Sequence, residues 1–243
     1  MSTTAAALRR FTRTLLAGLA VLLVVSAPDE AFAKGKKGKG KAKGKAKQEE
    51  FQVGLVGNKT MDGVFKELKE LNHVVGGAEK SRSSGKHNMT TAMGLPKDAK
   101  LSTVVKHVQA QSQGKVKIAM NGGKPQLQAS DALPEKLKTE IEAINGALTD
   151  YADAIKNVSK IPKEAAQLSK KVQTFPADFK KEVMSNPLGA VSLLKDLGTI
   201  KDNIKVAKGL PKRATTVTKE LNADIKVIVT AFGGTWPPAL SKK

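Results

Sequence analysis

Eight lysines stand within a run of fourteen residues that lacks acidic and large apolar side chains, and the run reads KGKKGKGKAKGKAK. Such a run cannot fold alone, and its ammonium groups attract polyanions whatever their sequence. It predicts a disordered basic arm over 34–50 that binds lipopolysaccharide, an acidic wall polymer, extracellular DNA or an anionic membrane. The alternative is a solvated spacer that binds nothing in particular. The predicted polyanion-binding residues are Lys34, Lys36, Lys37, Lys39, Lys41, Lys43, Lys45 and Lys47.

The arm is not expected to read a nucleic-acid sequence. After residue 33 the chain has only Arg82 and Arg213 for bidentate contacts to bases, and one Tyr and one Trp join its Phe residues for stacking. We therefore predict no sequence-specific nucleic-acid binding, and the lysines act as interchangeable point charges.

The histidines do not predict a metal site. They are far apart in the sequence, and none has a His, Asp or Glu partner at the spacing that metal ligands need. Surface or partly packed side chains are the simpler interpretation. The three residues are His73, His87 and His107.

Short motifs of enzymes are present only in fragments. Gly85-Lys86-His87 has the end of a phosphate-binding loop, but Lys80 stands where that loop needs glycine and His87 where it needs Ser or Thr. Ser-x-x-Lys occurs at 83–86 and 192–195 without the companion motifs of Ser/Lys hydrolases. We therefore predict a non-enzymatic protein without a cofactor or metal.

Composition and the N-terminus indicate where the chain goes. The 243 residues carry a formal net charge of +20 and no Cys, which excludes disulfide scaffolds and zinc ribbons. Residues 1–33 have the basic start, the apolar stretch Leu15–Ala27 and the small residues Ala31 and Ala33 of a cleaved signal peptide. We expect a secreted or periplasmic bacterial protein. Retention as an anchor is the alternative, because the lysines after residue 33 compete for the cytoplasmic side.

Apolar residues recur every three or four positions between Leu133 and Val158, which predicts an amphipathic helix close to a heptad repeat, as in a coiled coil. The same spacing predicts helices at Pro162 to about Ser185, Pro187 to about Lys208, and Pro211–Phe232. Pro176 should kink or divide the second. Because the joints are short, we predict an antiparallel, up-down four-helix bundle over 131–232 and a C-terminal tail over 233–243.

The region 51–130 is less regular and is predicted to be a smaller α+β-hairpin part. A short helix is expected at Met61–Val75, where Gly76-Gly77 stops it, and a loop follows over 76–97. A second short helix runs from about Ala99 to Ser112. Alternating polar and apolar residues on either side of Asn121-Gly122-Gly123 predict one β-hairpin.

Acidic residues are concentrated on the first bundle helix, where Glu140, Glu142, Asp150 and Asp153 fall mostly outside the apolar stripe. They are expected to form a solvated flank beside basic neighbours rather than a catalytic pair. This flank could instead dock the arm of another copy, which is a route to self-association. The leading hypothesis is a helical protein tethered to an anionic polymer or surface through its arm. The alternative is an assembly subunit that acts through protein contacts of the bundle.

Overall fold

The computed structural model describes residues 52–130, 132–185 and 197–237. The prediction of a mainly helical protein with a small two-stranded antiparallel sheet is confirmed. The predicted signal peptide (1–33) and basic arm (34–50) lie outside the described residues. The described elements are α1 (Lys59–Ala92), α2 (Leu101–Ser112), β1 (Val116–Asn121), β2 (Lys124–Ala129), α3 (Glu135–Val158), α4 (Ile161–Ser185) and α5 (Leu197–Ala231).

Helix α1 is more than twice as long as predicted. It begins at Asn58, whose side-chain oxygen accepts hydrogen bonds from Thr60 N (3.1 Å) and Met61 N (3.0 Å). It then continues through Gly76-Gly77 and through the expected loop at 76–97 to Ala92. Each glycine costs a helix about 1 kcal/mol relative to alanine. Burial of the second half of α1, including Ala78 and Met89, offsets this cost.

Helix α5 is also continuous where the sequence predicts a joint. The predicted third helix lies partly over 186–196, outside the described residues, but from Leu197 one helix runs past Gly209 and through Pro211. Pro211 has no N–H to donate within the helix. The residues around it, Ala207, Leu210 and Ala214, are almost completely buried, and this packing keeps the helix intact. Likewise, α4 is not divided at Pro176.

The buried residues form one apolar cluster that runs from Val53 to Phe232. Helix α1 packs on α3, α4 and α5, and α4 packs on α5. At one end, the rings of Phe65 on α1 and Phe175 on α4 meet edge to face with centroids 5.7 Å apart. The predicted boundary at residue 130 therefore lies between segments that share a core.

The hairpin pairs Val116 with Ala129 and Ile118 with Leu127. Its second strand packs on α3, where the side-chain amide of Asn145 hydrogen-bonds to the outer edge of β2 as the backbone of a third strand would. Leu127 N donates to Asn145 Oδ1 (2.7 Å), and Asn145 Nδ2 donates to Leu127 O (3.0 Å). The two bonds satisfy backbone groups of β2 that point away from β1.

Tyr151 joins three helices. Its ring is buried on α3 against Gly85 of α1, and its hydroxyl donates to Arg82 O (3.0 Å). The Arg82 guanidinium then reaches α5, where Nε donates to Asp224 Oδ2 (2.6 Å) and Nη1 donates to Glu220 Oε2 (2.6 Å). One aromatic residue and one ion-pair cluster thus fix the middle of α1.

Two glycines of α1 give a matched test of this contact. A Cβ at Gly85 would lie 2.7 Å from Tyr151 Cε1, whereas a Cβ at Gly77 meets nothing within 4 Å. Gly85→Ala should therefore lower the free energy of unfolding by about 1–3 kcal/mol, the usual cost of overpacking. Gly77→Ala should raise it by about 0.5–1 kcal/mol, because alanine has less backbone freedom to lose. Urea denaturation of both variants measures the change in the free energy of unfolding. Equal changes in the two variants would contradict the contact between Gly85 and Tyr151.

Tyr151 should also make stability depend on alkaline pH. Burial, and then the charge of Asp224, raise the pKa of Tyr151 well above its ordinary value. Below about pH 10, the tyrosine is protonated in both the folded and the unfolded chain; above it, the unfolded chain loses the proton first. The free energy of unfolding should therefore fall above about pH 10 more steeply in the parent protein than in Tyr151→Phe. Denaturation between pH 8 and 12 tests this, and parallel curves would refute it. Lysine titration is common to both proteins and cancels in the comparison.

Candidate functional site

The eight predicted polyanion-binding lysines, Lys34 to Lys47, lie outside the described residues, but the segment that follows them is held on α5. Gly54 N donates to Asn203 Oδ1 (3.2 Å), and Asn203 Nδ2 donates to Gly54 O (2.8 Å). Asn203 is completely buried, and a Cβ on Gly54 would lie only 2.6 Å from Thr199 Cγ2. The backbone at Gly54 therefore passes directly against the first turns of α5.

Asp62 fixes the residues that come next. Its carboxylate accepts hydrogen bonds from Val56 N (2.7 Å) and Gly57 N (3.0 Å). Because Lys47 precedes Gly54 by seven residues, the chain allows it to be at most about 25 Å away. Residues 54–57 are thus held against α5 and the first turn of α1.

The N-terminal end of α5 begins a line of exposed lysines. Their spacings along the helix are 4, 3, 4, 7 and 7 residues, which at about 100° per residue keep all six within roughly 60° of its circumference. The line extends about 37 Å at 1.5 Å per residue. We call it the α5 lysine stripe, and its members are Lys201, Lys205, Lys208, Lys212, Lys219 and Lys226.

The acidic residues of α5 lie beside this stripe rather than on it. Asp202 pairs with Lys205 (3.2 Å), and the other five stripe lysines form no ion pair with any residue of the described ranges. Glu220 and Asp224 lie on the flank of the helix and are engaged by Arg82. The stripe therefore presents positive charge that carboxylates of the described fold leave largely uncompensated.

The two arginines considered for base contacts have structural partners instead. Arg82 binds Asp224 and Glu220, as described above. Arg213 on α5 makes a bidentate pair with Glu79 on α1 (3.1 and 2.7 Å), and its Nη1 donates to Asn72 Oδ1 (2.8 Å). The hydrogen bond to Asp224 raises the pKa of Arg82 and outweighs desolvation, which acts to lower it. Both guanidinium groups join α1 to α5.

Glu140 corrects the expectation that the acids of α3 form a solvated flank. Glu142 and Asp150 are exposed, but Glu140 is completely buried because it lies three residues after Leu137 and four before Ile144, on the core face. His107 Nε2 on α2 lies 3.4 Å from Glu140 Oε1, and Gln111 Nε2 lies 2.6 Å from the same ring nitrogen. Glu140 Oε2 has no hydrogen-bond partner in the described part of the chain.

The described part of the chain has no cluster of metal-ligating side chains. His73 and His87 are exposed on α1. Across residues 52–130, 132–185 and 197–237, no three His, Cys, Asp or Glu side chains come together as metal ligands would. His107 and Glu140 thus form an isolated pair.

A shallow groove of about 250 Å³ lies beside the turn of the hairpin. Its charged groups are mixed, since Lys124 Nζ donates to Asp153 Oδ2 (2.7 Å) and Lys156 lies nearby. Trp236 lines it and donates its indole N–H to Asn222 Oδ1 (2.9 Å). The groove offers little net charge to a polyanion, in contrast to the α5 lysine stripe.

Sequence reasoning missed the stripe because it divided α5 at Gly209-Leu210 and assigned the six lysines to two helices. The recurrence of lysine every three, four or seven residues from Lys201 to Lys226 was the available signal. Among the described helices, none contains a segment of the length and apolarity that crossing a bilayer requires. Comparison of the chain with protein-family models, with curated proteins and with solved structures finds no match.

The anchor at Gly54 can be tested through Asn203. Asn203→Ala removes both hydrogen bonds to Gly54 and leaves a partly buried backbone N–H and C=O without these partners, so we expect the free energy of unfolding to fall by about 1–3 kcal/mol. Hydrogen exchange at the Gly54 amide should accelerate by more than the global change explains. Asn157→Ala, at an exposed position of α3, is the control and should change stability by less than about 0.5 kcal/mol. An unchanged Gly54 exchange rate in Asn203→Ala would show that Asn203 does not hold the segment.

Proposed function

We propose that this protein is a secreted or periplasmic, non-enzymatic tether that associates with an anionic polymer or surface through Lys34 to Lys47. In the proposal, cleavage after residue 33 frees the arm, and the helices form the antiparallel up-down bundle that the short joints predict. The partner is lipopolysaccharide, an acidic wall polymer, extracellular DNA or an anionic membrane. The bundle orients the arm and needs no cofactor, metal or catalytic residue.

The observation that carries the proposal is where the arm joins the fold. Gly54 is hydrogen-bonded to Asn203, which follows Lys201 by two residues and therefore lies on the buried face of α5, about 200° around the helix from that lysine. Because a helix is only about 10–12 Å across, a polyanion held by the arm can reach Lys201 and Lys205 at the start of the α5 lysine stripe.

Protein assembly is the second candidate, and one observation favours it. Asn145 covers the outer edge of β2, but no described residue hydrogen-bonds to the outward backbone groups of Ile118 and Met120 on β1. Met120 also leaves 44% of its surface exposed. An open strand edge can add a strand from another chain, including a second copy of this one. The lysines Lys115 and Lys117 beside this edge discourage such pairing.

The arm is tested by changing its charge and its order separately. In one variant the eight arm lysines become glutamine; in the matched control the residues 34–47 keep their composition in a shuffled order. If the lysines are interchangeable point charges, the shuffled arm should bind heparin–agarose and purified lipopolysaccharide as the parent does. The glutamine arm should elute at much lower salt, with the helical circular-dichroism signal unchanged.

Two results would contradict the tether. Equal retention of the glutamine arm would show that the lysines are not the binding site. If the glutamine arm leaves polyanion binding unchanged but alters the oligomeric mass in sedimentation equilibrium, assembly is favoured and the arm is a solvated spacer. Loss of binding in the shuffled arm alone would mean that residue order matters, against the role of lysines as interchangeable charges.

A further inference from the structure

The α5 lysine stripe is a rigid array, unlike a charged run without a fold. Helix α5 is held by buried residues on its opposite face, among them Leu221, Ile225 and Ile228, so its lysine Cα atoms keep fixed separations. From Lys201 to Lys212 four ammonium-bearing residues rise about 16 Å along the axis. The array continues to Lys219 and Lys226 at about 10 Å intervals. A partner must therefore be able to lie along a straight line of positive charge.

The residues between the lysines exclude two classes of partner. Thr215 and Ala223 lie along the stripe, and on α5 the one large apolar side chain that is strongly exposed is Val227, at the stripe's edge. A partner helix needs apolar residues at heptad spacing to pack against, and an interfacial membrane helix needs an apolar face beside its basic one. The stripe has neither. It also has no arginine or aromatic residue, so it offers no bidentate contact to carboxylates and no platform for stacking bases.

What remains is a linear polymer with closely spaced negative groups. Lysine binds phosphate as a point charge, whereas planar bidentate recognition of carboxylates favours arginine. A phosphodiester strand carries one charge per about 3.4 Å in a duplex. This spacing is closer than that of the lysines, so every stripe lysine can find a phosphate. We propose that the α5 lysine stripe binds a linear phosphodiester polymer along its length. The inference rests on the proposed function, because the arm and the stripe then hold the same polymer.

The test compares three variants of the full chain in binding an oligothymidylate of about 20 nucleotides, roughly twice what the stripe spans at 3.4 Å per nucleotide. The first variant changes all six stripe lysines to glutamine, a good helix former that preserves α5. The second is the glutamine arm described above. The third is a control with the same net charge as the first, changed at six exposed lysines of α1, α2, β1 and the loop between the two helices. Its substitutions are Lys66→Gln, Lys69→Gln, Lys80→Gln, Lys100→Gln, Lys106→Gln and Lys117→Gln.

The salt dependence of binding separates specific contacts from net charge. Each phosphate contact to a single strand contributes about 0.7 to the slope of log affinity against log salt. The stripe variant should therefore lose up to about 4 from the slope and the arm variant up to about 6, whereas the control should lose less than about 1. Circular dichroism and urea denaturation show that each variant is folded.

Each alternative outcome is distinguishable. If the stripe variant and the control have the same slope while the arm variant loses binding, the inference is wrong and the proposed function stands. If the arm variant binds like the parent, the proposed function is wrong whatever the stripe does. If the stripe variant keeps its oligothymidylate slope but loses binding to phosphatidylserine–phosphatidylcholine vesicles, the stripe docks on a bilayer and the inference is overturned.

Discussion

Tyr151 touches the backbone of α1 at Gly85 and donates its hydroxyl hydrogen to the carbonyl of Arg82, so the middle of α1 lies against α3 while the Arg82 side chain reaches α5. The contact requires a residue without a side chain at Gly85 and an aromatic residue opposite it. Given this contact, Arg82 can reach Asp224 and Arg213 can reach Glu79 along the same face. The position of α5, and with it the direction of its lysines, depends on this junction.

The cationic residues of the described fold divide by type. Both arginines lie between α1 and α5, where each binds a carboxylate through its planar fork. A partly buried guanidinium keeps its charge and satisfies several acceptors at once, which a single ammonium group does not. The lysines of α5 are all exposed, where a strongly hydrated charge loses little solvation. Arginine thus joins two helices of the fold, whereas the lysines of α5 stay hydrated at its surface.

Local patterns predict α3, α2 and the hairpin well, because their apolar spacing and turn residues agree with their surroundings. They fail at Gly76-Gly77 and at Gly209 to Pro211, where local signals stop a helix and long-range burial continues it. Long-range contacts decide whether these helices continue. They are the contact of Gly85 with Tyr151 and the burial of Leu210 in the core, and they join residues far apart in the sequence. The prediction that Glu140 is solvated is wrong for a related reason. Its spacing places it on the core face, whereas its charge suggested the surface. The arm's lysines follow from composition alone, whereas the stripe follows only once α5 is continuous.

The arm and the stripe can act together only through a shared polymer. At physiological ionic strength the Debye length is about 8 Å, close to the separation of neighbouring stripe lysines, so each lysine senses its neighbours but not the whole array. Lys47, up to about 25 Å from Gly54, can lie beyond this range. In the proposed function, a polymer held by the arm would stay near Lys201 at an effective concentration that can reach the millimolar range, which would favour its contact with the stripe. In the proposed function, the hydrogen bonds from Asn203 to Gly54 limit this distance, because they hold residue 54 against α5.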